Sequence, residues 1–375
     1  MKALLRRAID IINPGFTQRH WDRQMFAKLN RRPPELLWEP QRQGPYLRQD
    51  TAGIRVRNTW YIFGGFYSED EVIDYADVFD FEKNRWVKSL KFPDGTPQTH
   101  TGVGLEGDRW IYLVGGQLGA RCSPAVAKAC ALDTLTDKWA DLPGLPKPRY
   151  APVVQFWKGR LHAAGGSKED RWTPSLEHYS IGVKDGKATE SHWKREADIP
   201  RGGPHRGSAI INDKFYLIGG QEGDFARKDG DPLCGCTDPV KPEVIYPDVY
   251  MLAEPGADWQ RKADMPVKNS HLEFSTVVMG SYAVTCGGMH EKHPDTKVIT
   301  MSDAVQVYDA VNDKWTVVGR LPYCTKGGAA AFYNGYLYYT TGQKEKAPGD
   351  PRPDWYDDRV WRAKFDLQHL LTLHG

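Results

Sequence analysis

Short apolar runs that end in a pair of glycines recur along the chain. WIYLVGG occupies Trp110–Gly116, and the same ending returns as YIFGG up to Gly65, LHAAGG up to Gly166, FYLIGG up to Gly220 and AVTCGG up to Gly288. A sixth copy, LYYTTG, ends at Gly342 with Thr341 in place of the first glycine. The first glycines stand at 64, 115, 165, 219 and 287 and the sixth copy aligns at 341, giving spacings of 51, 50, 54, 68 and 54 residues. Five-residue apolar runs bounded by turn residues predict strands. A fixed period of about 50 residues predicts a repeat whose units share one continuous core.

Each unit offers four short strands, a to d. In the second unit the pattern predicts them at Thr101–Leu105, Trp110–Val114, Ala127–Asp133 and Lys138–Asp141. Turn residues separate a from b: Arg57-Asn58, Gly107-Asp108, Asn212-Asp213 and Asn334-Gly335. Strand d carries a tryptophan followed by a proline in five copies, as Trp86, Trp139, Trp193, Trp259 and Trp315 with Pro93, Pro146, Pro200, Pro266 and Pro322. The last unit lacks this strand after its strand c (Asp358–Asp366), but Glu35–Pro40, ELLWEP, places Trp38 in the shared position. The N-terminal strand is therefore expected to pair into the last unit and close a ring, which would otherwise leave two unpaired sheet edges.

The paired glycines, the strand-c aromatics and acids (Val78-Phe79-Asp80, Val307-Tyr308-Asp309) and the strand-d tryptophans make the chain resemble a kelch-repeat protein. The resemblance covers about residues 35–367. It implies an all-β fold: a six-bladed β-propeller of four-stranded antiparallel blades, closed by an N-terminal strand and preceded by a short amphipathic helix. The fold is similar to that of the bacterial sialic acid mutarotase. The family also includes galactose oxidase, whose cross-linked Tyr–Cys cofactor has no matching motif here. The expected organisation is a basic segment over 1–34, the propeller over 35–367 and a tail over 368–375. The glycines are read as points of close backbone approach, and the strand-d tryptophans as packing between neighbouring blades.

With 40% hydrophobic residues, 13 Trp and 18 Tyr among 375 residues, the chain can build a large interior. A formal charge of +2 gives no bulk reason to expect nucleic acid as a partner. The charge is uneven, because residues 1–33 hold eight Lys/Arg against two acids. Within them Leu4, Leu5, Ala8, Ile9, Ile11 and Ile12 form a helical stripe opposite Arg6 and Arg7. Such a helix either packs on the flank of the propeller or makes peripheral contact with an anionic membrane surface. No run of 18 apolar residues occurs, the N-terminal stretch does not read as a secretory signal, and the six cysteines do not read as a disulfide framework. The expected compartment is the cytoplasm, with peripheral membrane contact as the variant.

Long b–c loops, about 27 residues after Gly220 against tight a–b turns elsewhere, single out one face of the ring. Aligning the units back from their glycines places Arg48 and Asp50, Gln98 and His100, Arg149 and Tyr150, His205 and Arg206, His271 and Glu273, and Lys326 where strand a begins near the axis. Phe66, Gln117, Ser167, Gln221, His290 and Gln343 follow the glycines. Three readings compete for this funnel. In the first it binds a small anionic or carbohydrate ligand, with Arg48, Gln98, His100, Gln117, Arg149, Arg206, Gln221, Lys326 and Gln343 as contacts. His271, Glu273, His205 and Tyr150 would then carry isomerase, epimerase or lyase chemistry. In the second, His100, His205, His271 and His290 hold a divalent metal. In the third, a non-catalytic scaffold binds a partner protein through the same face. Polar residues around a water-filled channel are the structural counterpart of all three, and the small-molecule reading is preferred. Gly102-Val-Gly104-Leu-Glu-Gly107 has the letters of a dinucleotide fingerprint but precedes a strand rather than a helix, so it is set aside. Cys234 and Cys236 in the longest loop could share a metal but lack a second ligand pair; Cys130 is expected on strand c and Cys286 in the core.

Overall fold

The structure, a computed structural model, describes residues 36–68, 70–96, 98–119, 123–224, 243–292, 299–344 and 356–374. The expected amphipathic helix, and with it the basic segment, lies outside the described residues, as do Cys122, Cys234 and Cys236. No helix among the described residues is long and apolar enough to cross a membrane.

Six antiparallel sheets run a-b-c-d. Blade one comprises Ala52–Val56, Thr59–Phe63, Tyr75–Asp80 and Arg85–Lys91. Blade two comprises Gly102–Glu106, Trp110–Val114, Ala129–Asp133 and Lys138–Leu142. In blade three the strands are Val153–Trp157, Arg160–Ala164, His178–Lys184 and Lys194–Arg195, and in blade four Gly207–Ile211, Lys214–Ile218, Val249–Leu252 and Gln260–Lys262. Blade five comprises Thr276–Met279, Tyr282–Lys292, Ile299–Asp309 and Lys314–Arg320. Blade six takes Ala329–Tyr333, Tyr336–Thr340 and Val360–Lys364 from the C-terminal part and its outer strand, Trp38–Pro40, from the N-terminal part. The six a strands touch in cyclic order, so they line the axis.

Closure follows the expected route. Trp38, Glu39 and Pro40 pair with Ala363, Arg362 and Trp361, and Trp38 is buried against Val318, Leu321 and Trp361 between blades five and six. Its indole N–H donates to the Arg320 carbonyl at 2.7 Å, at the end of strand d of blade five. The other strand-d tryptophans repeat this seam. Trp86 donates to Arg42 O, Trp193 to Pro143 O and Trp315 to Ala263 O, in each case just past strand d of the preceding blade. Trp139 packs edge-on against Phe63 and Phe92 of blade one, and Trp259 joins Trp157 and Ile199 of blade three. Residues after strand c of blade six form a helix, Leu367–His374, begun by Asp366, whose carboxylate accepts from the His369 N–H. It buries Leu367 and Leu370 beside Leu36 and Val318, over the same seam.

All glycines of the doublets have positive φ, 53° to 66° at the first position and 74° to 116° at the second. At Gly64 an added Cβ would lie 1.6 Å from the Gln98 carbonyl of the next blade, so side chains are excluded by contact as well as by conformation. Thr341 adopts the same backbone at φ 62°, and its hydroxyl meets that of Thr51 at 3.0 Å. The departure from glycine in blade six therefore changes the residue and not the turn. Cys130 and Cys286 are buried on strand c of blade two and strand b of blade five, where desolvation pushes their thiols up, Cys130 to about 12.

Two histidines lie buried at the seam of blades three and four, with His162 Nδ1 and His178 Nε2 3.0 Å apart and Trp157, Phe215 and Trp259 around them. Burial pushes His162 down to about 3 and His178 to about 4. An unfolded chain takes up these protons near ~6.5, before the folded one does. Stability is therefore complete above about pH 6.5 and declines as pH falls toward 4 and 3. Chemical denaturation midpoints should drop over this window, and His162→Leu should flatten the drop. Trp38→Ala should cost about 3–5 kcal/mol of global stability, measured by the same denaturation curves, because it opens a cavity at the closing seam.

Candidate functional site

The chain enters strand a of each blade through one residue in the left-handed region: Asp50, His100, Ala151, His205, His271 and Gly327, with φ between 46° and 64°. Asp and His tolerate this backbone better than most side chains. Five of the six are bonded across blades, since Asp50 N–H donates to Gly327 O (2.9 Å), Ala151 N–H to His100 O (3.0 Å) and Leu272 N–H, next to His271, to His205 O (3.3 Å). Beside them the residue after each glycine pair bridges back to its own blade's lead-in: Gln49 with Phe66, Thr99 with Gln117, Tyr150 with Ser167, Ser270 with Met289 and Lys326 with Gln343. This collar therefore lies at the end of the ring from which the b–c loops leave.

Within the collar the side chains of blades one to six meet. His205 stacks on His271 with centroids 3.8 Å apart and planes 8° from parallel. His100 lies 5.5 Å from His205 and 4.3 Å from the Tyr150 ring. His205 donates from Nδ1 to Glu273 at 2.6 Å and from Nε2 to Asp224 at 3.3 Å. Arg171 donates to the Tyr150 hydroxyl at 2.7 Å, packs over that ring and reaches Asp224 at 3.4 Å. Asp50 faces His100 Nε2 at 3.6 Å and lies in the field of Lys326. Three cations, Arg171, His205 and Lys326, thus balance three carboxylates, Asp50, Asp224 and Glu273.

This balance separates the imidazoles. Burial opposes a charge on His205, but Glu273 and Asp224 outweigh it and push its pKa up to about 10. His271 is driven well below its usual range by burial and by the His205 charge. His100 is also lowered, because burial exceeds the pull of Asp50. Burial raises Tyr150 well above a free phenol, so it keeps its proton. The His271 tautomer follows from its neighbours. Ser270 spends its hydroxyl hydrogen on Gln221 Oε1 (2.6 Å), so at 3.0 Å it must accept from His271 Nδ1. The Nε2 lone pair is left as a base, and among the described residues nothing bonds it.

Not every expected contact reaches this place. Arg48, Arg149 and Arg206 turn into their blades, Arg48 onto Asp77, Arg149 onto Glu177 and Arg206 beside Asp248, so they do not offer guanidinium forks at the axis. Gln117 and Gln221 use their amides on the Gly119 and Gly223 carbonyls and so hold the start of the b–c loops. Gln98 contributes its backbone at the seam of blades one and two, where Gly65 N–H donates to its carbonyl, and Gln343 pairs with Lys326 along the backbone. Met289, not His290, occupies the position after the glycine pair in blade five; His290 Nδ1 instead donates to the Lys268 carbonyl at 2.8 Å. The four-histidine metal set is thereby corrected. His205 spends both ring N–H groups on Glu273 and Asp224, His290 spends its Nδ1 on the Lys268 carbonyl, and no metal-holding group of three or more His, Cys, Asp or Glu occurs among the described residues.

Arg171 and Asp224, both supplied by b–c loops, were not visible in the strand pattern. Neither was the reason Glu273 reaches the axis. Ser275 takes the place opposite Cys286 that Ala52 takes opposite Phe63, yet it follows His271 by four residues where Ala52 follows Asp50 by two. The two extra residues push Glu273 and Phe274 onto the axis. There they separate the collar from a channel of about 340 Å³ that the six a strands line. The space left among Asp50, His100 and Glu273 is about 10 Å³, room for one water.

Because His205 titrates at about 10 in the folded chain against ~6.5 unfolded, its pairing stabilises fully below about pH 6.5 and the contribution is lost as pH rises through about 10. Glu273→Gln should cost about 3 kcal/mol at pH 7 by leaving a buried cation half-paired, and it should shrink the loss of stability between pH 7 and 10. Urea denaturation at the two pH values measures both.

No family model matches the chain. It is 40% identical over 332 residues to Kelch repeat-containing protein At3g27220 of Arabidopsis thaliana, covering 88% of this chain and 77% of that one. Kelch-like protein terF of Aspergillus terreus is 23% identical over 306 residues, and human Kelch-like protein 23 is 23% identical over 312; this chain spans 61% and 51% of their lengths. The solved structure of YjhT superposes with a TM-score of 0.63 at 14% identity, covering 85% of this chain and 95% of that one, a likeness of fold. By its sixfold glycine–tryptophan repeat, its closed ring and its identity to the Arabidopsis protein over most of both chains, the chain belongs to the kelch-repeat family.

Proposed function

We propose that the loop face of this kelch propeller binds a small hydroxyl-rich ligand, of carbohydrate type, over the axial collar and moves protons on it. The observation that carries this reading is the stacked pair His205 and His271, one held charged and the other held neutral with Nε2 open. Paired titratable groups whose environments push them apart are a common acid–base arrangement. His271 would accept a proton from the ligand and the Tyr150 hydroxyl would supply one. His205, clamped by Glu273 and Asp224, would hold fixed positive charge against the oxygen that becomes negative. In the second half of the reaction the transfers run in reverse, His271 giving its proton back to the ligand and Tyr150 recovering its own, so the sequence suits isomerase or epimerase chemistry, which needs no further reactant.

The balanced charge of the collar favours hydroxyl groups over a bare anion at the axis, because the three arginines expected to attract an anion face away. With space for one water inside the collar, the ligand rests on its loop-side rim. A scaffold that docks a partner protein on the same face is the second reading, and it draws on that same closed collar.

Ligand-observed NMR against a panel of neutral and acidic sugars, with exchange spectroscopy for interconversion, tests the proposal. Wild type should bind at least one sugar and speed its interconversion. His271→Ala should abolish the rate with binding retained within about threefold, and Tyr150→Phe should lower the rate about 10²-fold. Binding without interconversion would remove the catalytic part, and no binding to any sugar would leave the scaffold reading.

A further inference from the structure

Arg206 follows His205 in the chain but turns away from the axis into blade four, where the charges are arranged unlike those around the buried arginines of blades one and three. In blade one, Arg48 closes directly on Asp77, and in blade three Arg149 closes directly on Glu177, with Lys147 at its edge. In blade four a single buried carboxylate, Asp248, has three guanidinium groups around it at longer range. Arg201 and Arg261 each stand 3.5 Å away and Arg206 stands 3.7 Å away.

The three differ in what they still offer. The Arg206 side chain is fully buried, and none of its three nitrogens has a hydrogen-bond partner. It is held instead by the ring faces of Tyr246 and Tyr250, at 5.0 and 6.0 Å. Arg201 lies 3.6 Å over Tyr246, and Arg261 lies over Tyr250 and donates to its hydroxyl at 3.1 Å. These two side chains are 38% and 47% exposed, so part of each fork faces solvent. Asp264 takes one edge of Arg261, and Glu222 lies within the field of Tyr246. A buried guanidinium without hydrogen bonds is undercompensated, and two planar forks fixed on aromatic faces beside it are pre-organised for oxygen acceptors.

We propose that Arg201 and Arg261, backed by the buried charge of Arg206, form an oxyanion site that takes the phosphate or sulfate ester group of a small ligand. The group bridges the two exposed forks above Asp248, taking from each guanidinium the N–H hydrogens that Asp248, Tyr250 and Asp264 leave over. Asp248 precedes strand c at the loop end of blade four and Arg261 lies on strand d, so the site is on the face that carries the axial collar, toward the outer edge of the blade. A ligand carrying an ester at one end and hydroxyls at the other would engage both places only if it spans blade four from its outer strands to the axis. That extension rests on the function proposed above; the oxyanion site itself does not.

Isothermal titration of the full chain with sodium phosphate and with sodium sulfate, at ionic strength held constant with sodium chloride, tests it. Wild type should show one saturable site for either ion. Arg201→Gln and Arg261→Gln should each weaken it by about tenfold or more, and Arg261→Lys, which keeps the charge and loses the fork, should fall between. Both positions are solvent-facing, so unchanged urea midpoints are expected and separate loss of the site from loss of the fold. No saturable uptake by wild type, or glutamine variants that bind like wild type, would overturn the proposal. The inorganic ions report on this site alone, so a failed sugar panel and a failed phosphate titration remain distinct results.

Discussion

One residue per blade in the left-handed backbone region sets the position of nearly everything else at the axis. At that residue the chain turns from the outer strand of one blade into the inner strand of the next, and in five of the six blades its carbonyl or amide is shared with a neighbouring blade. The turn leaves no room beside it, which is why the adjacent glycine doublets cannot carry a Cβ. It also decides where side chains go. The turned residue, Asp50, His100, His205 or His271, faces the axis, whereas the arginines on either side are sent into the blades. A propeller can thus bring four polar side chains from four distant parts of the chain into contact without any of them being near another in sequence.

Holding six charges in such a place is expensive unless they are paired. Each buried ion loses hydration worth several kcal/mol, and only close, hydrogen-bonded partners return it. Here Glu273 and Asp224 clamp His205, Arg171 clamps Tyr150 and Asp224, and Lys326 lies near Asp50. Apolar residues of the same volume would close the ring at lower cost, as they do at the seam around Trp38 and Val318. The persistence of charge at the collar, beside apolar seams built from the same repeat, is the physical ground for reading it as a functional place.

Those features that repeat six times were legible in the sequence. The glycine doublets, the Trp38 strand and the strand-d indoles each answer a backbone or seam requirement that every blade shares, so a linear alignment finds them. Features that break the repeat were not. A count back from the glycines does not show that the chain reverses at Asp50 or His205, so Arg48, Arg149 and Arg206 were placed at the axis when the backbone turns them outward. Treating the two extra residues after His271 as ordinary repeat hid why Glu273 lies beside His205, and a one-residue slip put His290 where Met289 stands. Arg171 and Asp224 come from loops with no period at all. The signal that was available, Asp50, His100 and His205 two residues ahead of the strand-a register in three blades with His271 four ahead in another, marks residues that tolerate left-handed backbone. It is readable once that turn is known.

Two stacked imidazoles held in opposite protonation states are what the collar is built around, and nitrogen-15 NMR of the histidine side chains measures those states directly. Across pH 6 to 9 the His205 ring should keep both N–H protons, and the His271 ring should stay neutral with its single proton on Nδ1. Two imidazoles titrating together near ~6.5 would contradict that arrangement, since that is how histidines in open solvent behave.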